Sequence, residues 1–316
     1  MKYKSRATTS AGTKTGIILS CAIALTLTGC GGMALASSQG VPGANGRDSS
    51  AAGGEPLAGY MAEELDRIQL AQDTLRLTCI ADNGFPELRR FIPKDRVTSR
   101  TREQITYNPD DIFFESEADA RNRGFGRSIP ARPDKVIPHE KTYEGVSETC
   151  AKLAWEQLDK DAFQTFLEYQ QIGYGMHSSS AAVAVPAAEK VGPALLKCLQ
   201  DRGAPVTAGN EFFGMSLNVK RGSLERPEEG GPSPKKTSGI EIIPGIPENR
   251  YIPTPEESDL AASVYSCSRS AGVRDEHKRI MTAPERDAYA ANKDKLNELE
   301  PDVRRLSDTA TTLLKQ

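Results

Sequence analysis

The chain has 316 residues, with 40 Lys+Arg against 43 Asp+Glu, a formal charge of -3 and only three histidines. A field of that sign disfavours nucleic acid, and it disfavours adhesion to anionic lipid or polymer by charge alone.

At the N-terminus, Lys2, Lys4, Arg6 and Lys14 precede or abut a short apolar run over residues 16–28, the parts of a secretion leader. The run has 13 residues, whereas a spanning helix needs about 20, so residues 1–29 read as a cleaved signal peptide. Leu27-Thr28-Gly29-Cys30, followed by Gly31-Gly32, resembles a bacterial lipobox. The resemblance implies thioether-linked diacylglycerol on Cys30 and cleavage before it. The alternative is an ordinary secretory signal cut near residues 34–36, with Cys30 discarded. Two acyl chains hold a protein stably where one does so marginally. Loss of residues 1–29 removes four positive charges and no negative ones, leaving 36 against 43, or -7. Membrane lipid reached through Cys30 is therefore the expected anchor, on the extracytoplasmic face of the cell membrane.

Residues 31–58 are dominated by Gly, Ala and Ser without an apolar period, so residues 30–58 read as the lipidated cysteine and a flexible tether. As a random coil it spans about 30 Å. The folded part is expected from near Tyr60 onward, long enough for one large domain or two small ones.

Three cysteines there share a context. Cys79, Cys198 and Cys267 each follow apolar residues at helical spacing, and each is followed five residues later by a glycine: Gly84, Gly203 and Gly272. The pattern predicts three helices, each closed by a glycine in the left-handed conformation. With Cys150, four cysteines remain for a disulfide-permissive compartment and allow three connectivities. Cys79–Cys150 with Cys198–Cys267 divides the body into stapled halves, residues 59–177 and 191–316, joined by a connecting segment at 178–190. Each bridge closes a loop of about 70 residues, worth roughly 4 kcal/mol in the chain-entropy model. No cysteines have the close spacing of a metal site.

In chain order, Ser116 to Arg123 reads as a short helix ending at Gly124. Residues 147–169 read as one helix with Ser147 at its start, carrying Cys150, Leu153, Ala154, Leu158, Phe163 and Phe166 on a face. The segment 221–250 is a long Pro/Gly-rich loop, in which Ile240, Ile242, Ile243 and Ile246 are the best candidates for an apolar contact site. Ordinary burial against the core is the alternative. Thr254-Pro255-Glu256-Glu257 is a capping box with proline in the first turn, and Thr282 with Glu285 repeats the signal. Beyond it Tyr289, Asn292, Leu296, Leu299, Val303, Leu306, Ala310 and Leu313 form a heptad seam, with Pro301 allowing a kink. Packing onto the preceding Cys267 helix is expected, rather than self-association.

Cys79 with Gly84-Phe85, the Ala118 to Gly124-Phe125-Gly126 segment, Cys150, Cys198 with Gly203, and the Ala261 to Cys267 helix before a long amphipathic helix occur in an order that resembles uncharacterised, lipobox-bearing secreted proteins of actinomycetes. Ile80 and Leu199 stand where methionine often follows the cysteine in that group, and Ala204 where an aromatic or branched residue is usual. The resemblance implies architecture and an envelope of Gram-positive type, with no activity attached. The fold class expected is mainly α: a disulfide-stapled helical body with long irregular loops, divisible into two sub-halves.

The residues carry no catalytic signature. His139, His177 and His277 are far apart in sequence, each in a charged or polar stretch, and neither a two-histidine zinc motif nor a nucleophile elbow occurs. Met176-His177-Ser178-Ser179-Ser180 reads as a solvated loop rather than a Ser/His pair. Asp110-Asp111 and Glu256-Glu257 read as turn and capping residues. No catalytic, cofactor-binding or metal residue is assigned, and no cofactor is expected. The function expected is a non-enzymatic accessory or scaffold module with an envelope protein as partner and no nucleic acid. A ligand-binding lipoprotein serving a transporter is the alternative, ahead of an envelope hydrolase.

Overall fold

The computed structural model describes residues 57–93, 100–225, 233–236 and 239–315. The leader, Cys30 and almost all of the tether lie outside them. The fold is mainly helical, with few short strands, and is stapled by two disulfides. In order come α1 (Ala62–Asp82), a 3-10 turn (Pro86–Phe91), α2 (Arg100–Ile105), α3 (Asp110–Phe113), α4 (Glu117–Arg123), β1 (Lys135–Pro138), α5 (Thr142–Leu158) and α6 (Ala162–Ser178). A second 3-10 turn (Ser179–Val183) leads into α7 (Ala184–Asp201), β2 (Val206–Phe212), β3 (Met215–Leu217), β4 (Ser223–Leu224), β5 (Lys235–Lys236), β6 (Ile240–Ile243), β7 (Tyr251–Ile252), α8 (Pro255–Ser270) and α9 (Val273–Leu313).

The cysteine-glycine pattern has the geometry it predicts. Gly84, Gly203 and Gly272 follow the ends of α1, α7 and α8 with φ of 110°, 73° and 66°, a region that costs a residue with Cβ. Cys79 bridges to Cys150 on α5 at 2.05 Å, and Cys198 to Cys267 at 2.09 Å. Each bridge thus joins two helices that also pack together, α1 with α5 and α7 with α8.

Two local expectations need correction. Residues 147–169 are not one helix: α5 starts at Thr142 and the chain breaks after Leu158. Asp159 leaves the helix with extended backbone, and its carboxylate accepts the Asp161 N–H at 3.0 Å and the Arg305 guanidinium at 2.6 Å. Thr282–Glu285 does not open a helix either, because α9 is continuous through it and through Pro284 and Pro301. The Thr282 hydroxyl donates back to the Lys278 carbonyl at 2.9 Å, as an interior threonine does. By contrast, Thr254 and Ser116 cap α8 and α4, accepting from Glu257 N–H and Asp119 N–H.

Most buried apolar side chains among the described residues fall into three clusters. The first joins α1, α6 and the later half of α9 through Leu65, Ile68, Phe166, Tyr169, Leu296, Val303, Leu306 and Ala310. The heptad seam therefore packs onto α1 and α6 and not onto the Cys267 helix; only the start of α9, Val273 and Ile280, joins the cluster of α7, α8 and the β2–β3 hairpin. The third contains Ile80, Phe85, Leu88, Cys150, Ile240 and Ile242. Antiparallel pairing of β6 with β1 and β5 lays Ile240 and Ile242 on that core. Among the described residues no helix is long and apolar enough to cross a membrane.

Candidate functional site

The apolar segment singled out at 240–246 is mostly consumed by folding. Ile240 and Ile242 are buried in the third cluster, and Ile246 alone of the four is well exposed. The three histidines are separated in space as well: His139 meets Glu241 at 2.8 Å, His177 lies near Glu285, and His277 meets Tyr107. No group of three or more His, Cys, Asp or Glu among the described residues is arranged for a metal ion.

Two buried arrangements escaped the sequence. On the early half of α9, His277 and Glu285 lie two turns apart, both nearly inaccessible to solvent. The His277 ring is enclosed by Tyr107, Phe113 and Phe213, and its Nδ1 is 2.6 Å from the Tyr107 hydroxyl. Burial pushes its pKa down, since an imidazolium there would lose its hydration. Glu285 accepts from the buried Ser180 hydroxyl at 2.8 Å, and His177 Nδ1 stands 3.5 Å from the same oxygen without hydrogen-bond geometry. Burial pushes the Glu285 carboxyl up, opposed by Ser180 and His177. The stretch read as a solvated loop is thus the end of α6 and a 3-10 turn with Ser180 inside. The order of groups also differs from a nucleophilic relay, in which imidazole lies between hydroxyl and carboxylate; here the carboxylate lies between and the hydroxyl is held.

The second arrangement centres on Glu257, which has no solvent exposure. Its carboxylate accepts the Phe125 N–H at 2.9 Å, the Gly222 N–H at 2.6 Å and the Tyr251 hydroxyl at 2.8 Å, with Arg221 at 3.6 Å. The capping-box glutamate therefore ties three loops to α8. Asp110 acts similarly at the surface: Arg274 binds it through two nitrogens at 2.7 and 2.8 Å and holds its carboxyl below the usual range. Arg269 meanwhile donates to the carbonyls of Phe113 and Phe114, fixing Phe114 at a φ of 65°.

On the other side of α8 is an open groove of about 560 Å³. One wall is the turn after α7 from Arg202 to Pro205, another is Asn218 to Lys220, and the third is the face of α8 with Glu256, Asp259, Leu260 and Ser263. Its floor, Ala204, Val219 and Leu260, is the outer surface of the second core cluster. Cys198–Cys267 crosslinks two of these walls about one helical turn away, on α7 and α8. The wall at Asn218 to Lys220 is fixed by the Thr254 hydroxyl donating to the Lys220 carbonyl at 2.6 Å and by the Glu257 bond to Gly222. This groove is one concave place where polar side chains of several elements converge; another, of about 510 Å³, lies between α6 and α9. No protein-family model matches the chain, and no curated protein or solved structure matches it either.

Proposed function

We propose that the protein is a membrane-anchored extracytoplasmic lipoprotein working as a non-enzymatic accessory or scaffold module of the cell envelope. The observation that carries the anchor is the box Leu27-Thr28-Gly29-Cys30 behind a basic and then apolar leader. An acidic body attached through Cys30 would stand off an anionic surface on its tether and present its sides to neighbouring proteins. Support for the scaffold half comes from the buried ionisable groups: Glu257 and Glu285 hold elements of the fold to one another. A body crosslinked at α1–α5 and α7–α8 suits a module that keeps its shape outside the cytoplasm.

Two experiments separate the parts of this reading. Replacing Cys30 by alanine should move the protein from the membrane fraction into the soluble fraction, and retention in the membrane would sink the anchor. Chemical cross-linking in intact producing cells, read by mass spectrometry, should return repeated links to one envelope protein. Links no more frequent than background would remove the scaffold role while leaving the anchor standing.

A further inference from the structure

Several surface charges between helices of the described body are paired, as Lys190 is with Glu276, Lys295 with Glu168 and Arg305 with Asp159. Arg202, Lys220 and Glu256 differ. None has an ion-pair partner among the described residues, and all three line the groove between α7, the β2–β3 hairpin and α8. Arg202 donates to the Ser270 hydroxyl at 3.4 Å and meets no carboxylate. Asp259 also lines the groove, ion-paired with Arg121, which it shares with Glu117. An isolated exposed charge means little, because water solvates it. Here two cations and one carboxylate that have no ion-pair partner among the described residues converge over an apolar floor, in a groove whose walls are fixed by a disulfide and by a buried carboxylate.

From this convergence we infer that the groove binds a small zwitterionic ligand of the amino-acid or short-peptide class. The ligand's carboxylate meets Arg202 and Lys220, its ammonium meets Glu256, and its side chains lie on Ala204, Val219 and Leu260. A purely anionic ligand would face Glu256, and a purely cationic one would face two like charges. The volume lies within the range of about 300–1,000 Å³ typical of small-ligand sites. Walls held before binding lower the ordering cost, so a shallow site can still bind. The inference goes beyond the scaffold reading and does not depend on Cys30.

The test is equilibrium dialysis of the purified full chain, disulfides intact, against an equimolar pool of mixed-sequence tripeptides with free termini, with retained members read by mass spectrometry. A subset should be retained. Retention should fall about tenfold, the effect of losing one good charged contact, when the same pool is amidated only or acetylated only, and further when both termini are blocked. It should fall by a similar factor for Arg202→Ala combined with Lys220→Ala, and for Glu256→Gln. The three side chains are exposed, so the variants should keep the parent Tm. Retention of no peptide, or retention unchanged by blocked termini or by both sets of substitutions, would overturn the inference. Inorganic phosphate bound with the same affinity in the presence and absence of Glu256→Gln, with no peptide retained, would overturn it too.

Discussion

The early half of α9 buries a mixed polar and apolar face, and the late half an almost wholly apolar one. Leu296, Val303, Leu306 and Ala310 lie among apolar side chains of α1 and α6, whereas His277, Thr282 and Glu285 are comparably buried and satisfied one at a time. Their partners are the Tyr107 hydroxyl, the Lys278 carbonyl and the Ser180 hydroxyl. Apolar burial is non-directional, so many side chains of similar volume serve. Polar burial is directional, and a lost partner leaves a desolvated group behind. One helix therefore has a tolerant half and an exacting half.

Glu257 is the severest case of the exacting kind, and its removal should have the largest effect. Glu257→Ala orphans two backbone N–H groups and the Tyr251 hydroxyl, and should cost about 4 kcal/mol in urea unfolding with disulfides intact. Glu257→Gln should recover part of that, because one amide oxygen still accepts. In the tolerant half, Leu306→Ala should cost about 3 kcal/mol, while Leu306→Met should cost under about 1.5 kcal/mol. An equal loss from both substitutions would contradict the tolerance assigned to the seam.

The exacting half should also give α9 a pH signature. His277 is lowered in the folded state, so its contribution is fully present above the ordinary imidazole value and is lost as pH falls through and below it. Glu285 is raised, so its contribution is fully present below the ordinary carboxyl value and is lost as pH rises through the folded value. Tm measured against pH should therefore lose its histidine limb in His277→Gln and its carboxyl limb in Glu285→Gln. Leu306→Ala should lower the whole curve without changing its shape. The smallest effect is expected on α6 at Gly175, where an added Cβ meets open space. Gly175→Ala should stabilise by about 0.7 kcal/mol through helix propensity.

The same contrast decides what was legible in the sequence. Periodicity exposed the apolar seam, because it needs only residues of one segment, but it could not name α1 and α6 as the partners. The glycines after Cys79, Cys198 and Cys267 were readable because helix termination is local. Ser180, Glu285 and His277 were not, because the groups that satisfy them come from up to 170 residues away. Glu257 was recognised as a capping residue from its neighbours, yet its fully buried carboxylate is defined by Phe125, Gly222 and Tyr251. The break at Asp159 had a local signal that the apolar period overrode: Asp159-Lys160-Asp161 offers a side-chain acceptor two residues before a backbone donor. The groove is least legible of all, since three elements separated by β2 and β3 and the 221–250 loop build it.

The most direct test of the functional account is the mass of the N-terminal peptide of the protein recovered from producing-cell membranes. The account predicts a peptide that begins at Cys30 and carries the mass of a diacylglycerol on its sulfur. An unmodified peptide beginning near residues 34–36, with Cys30 absent, would contradict it.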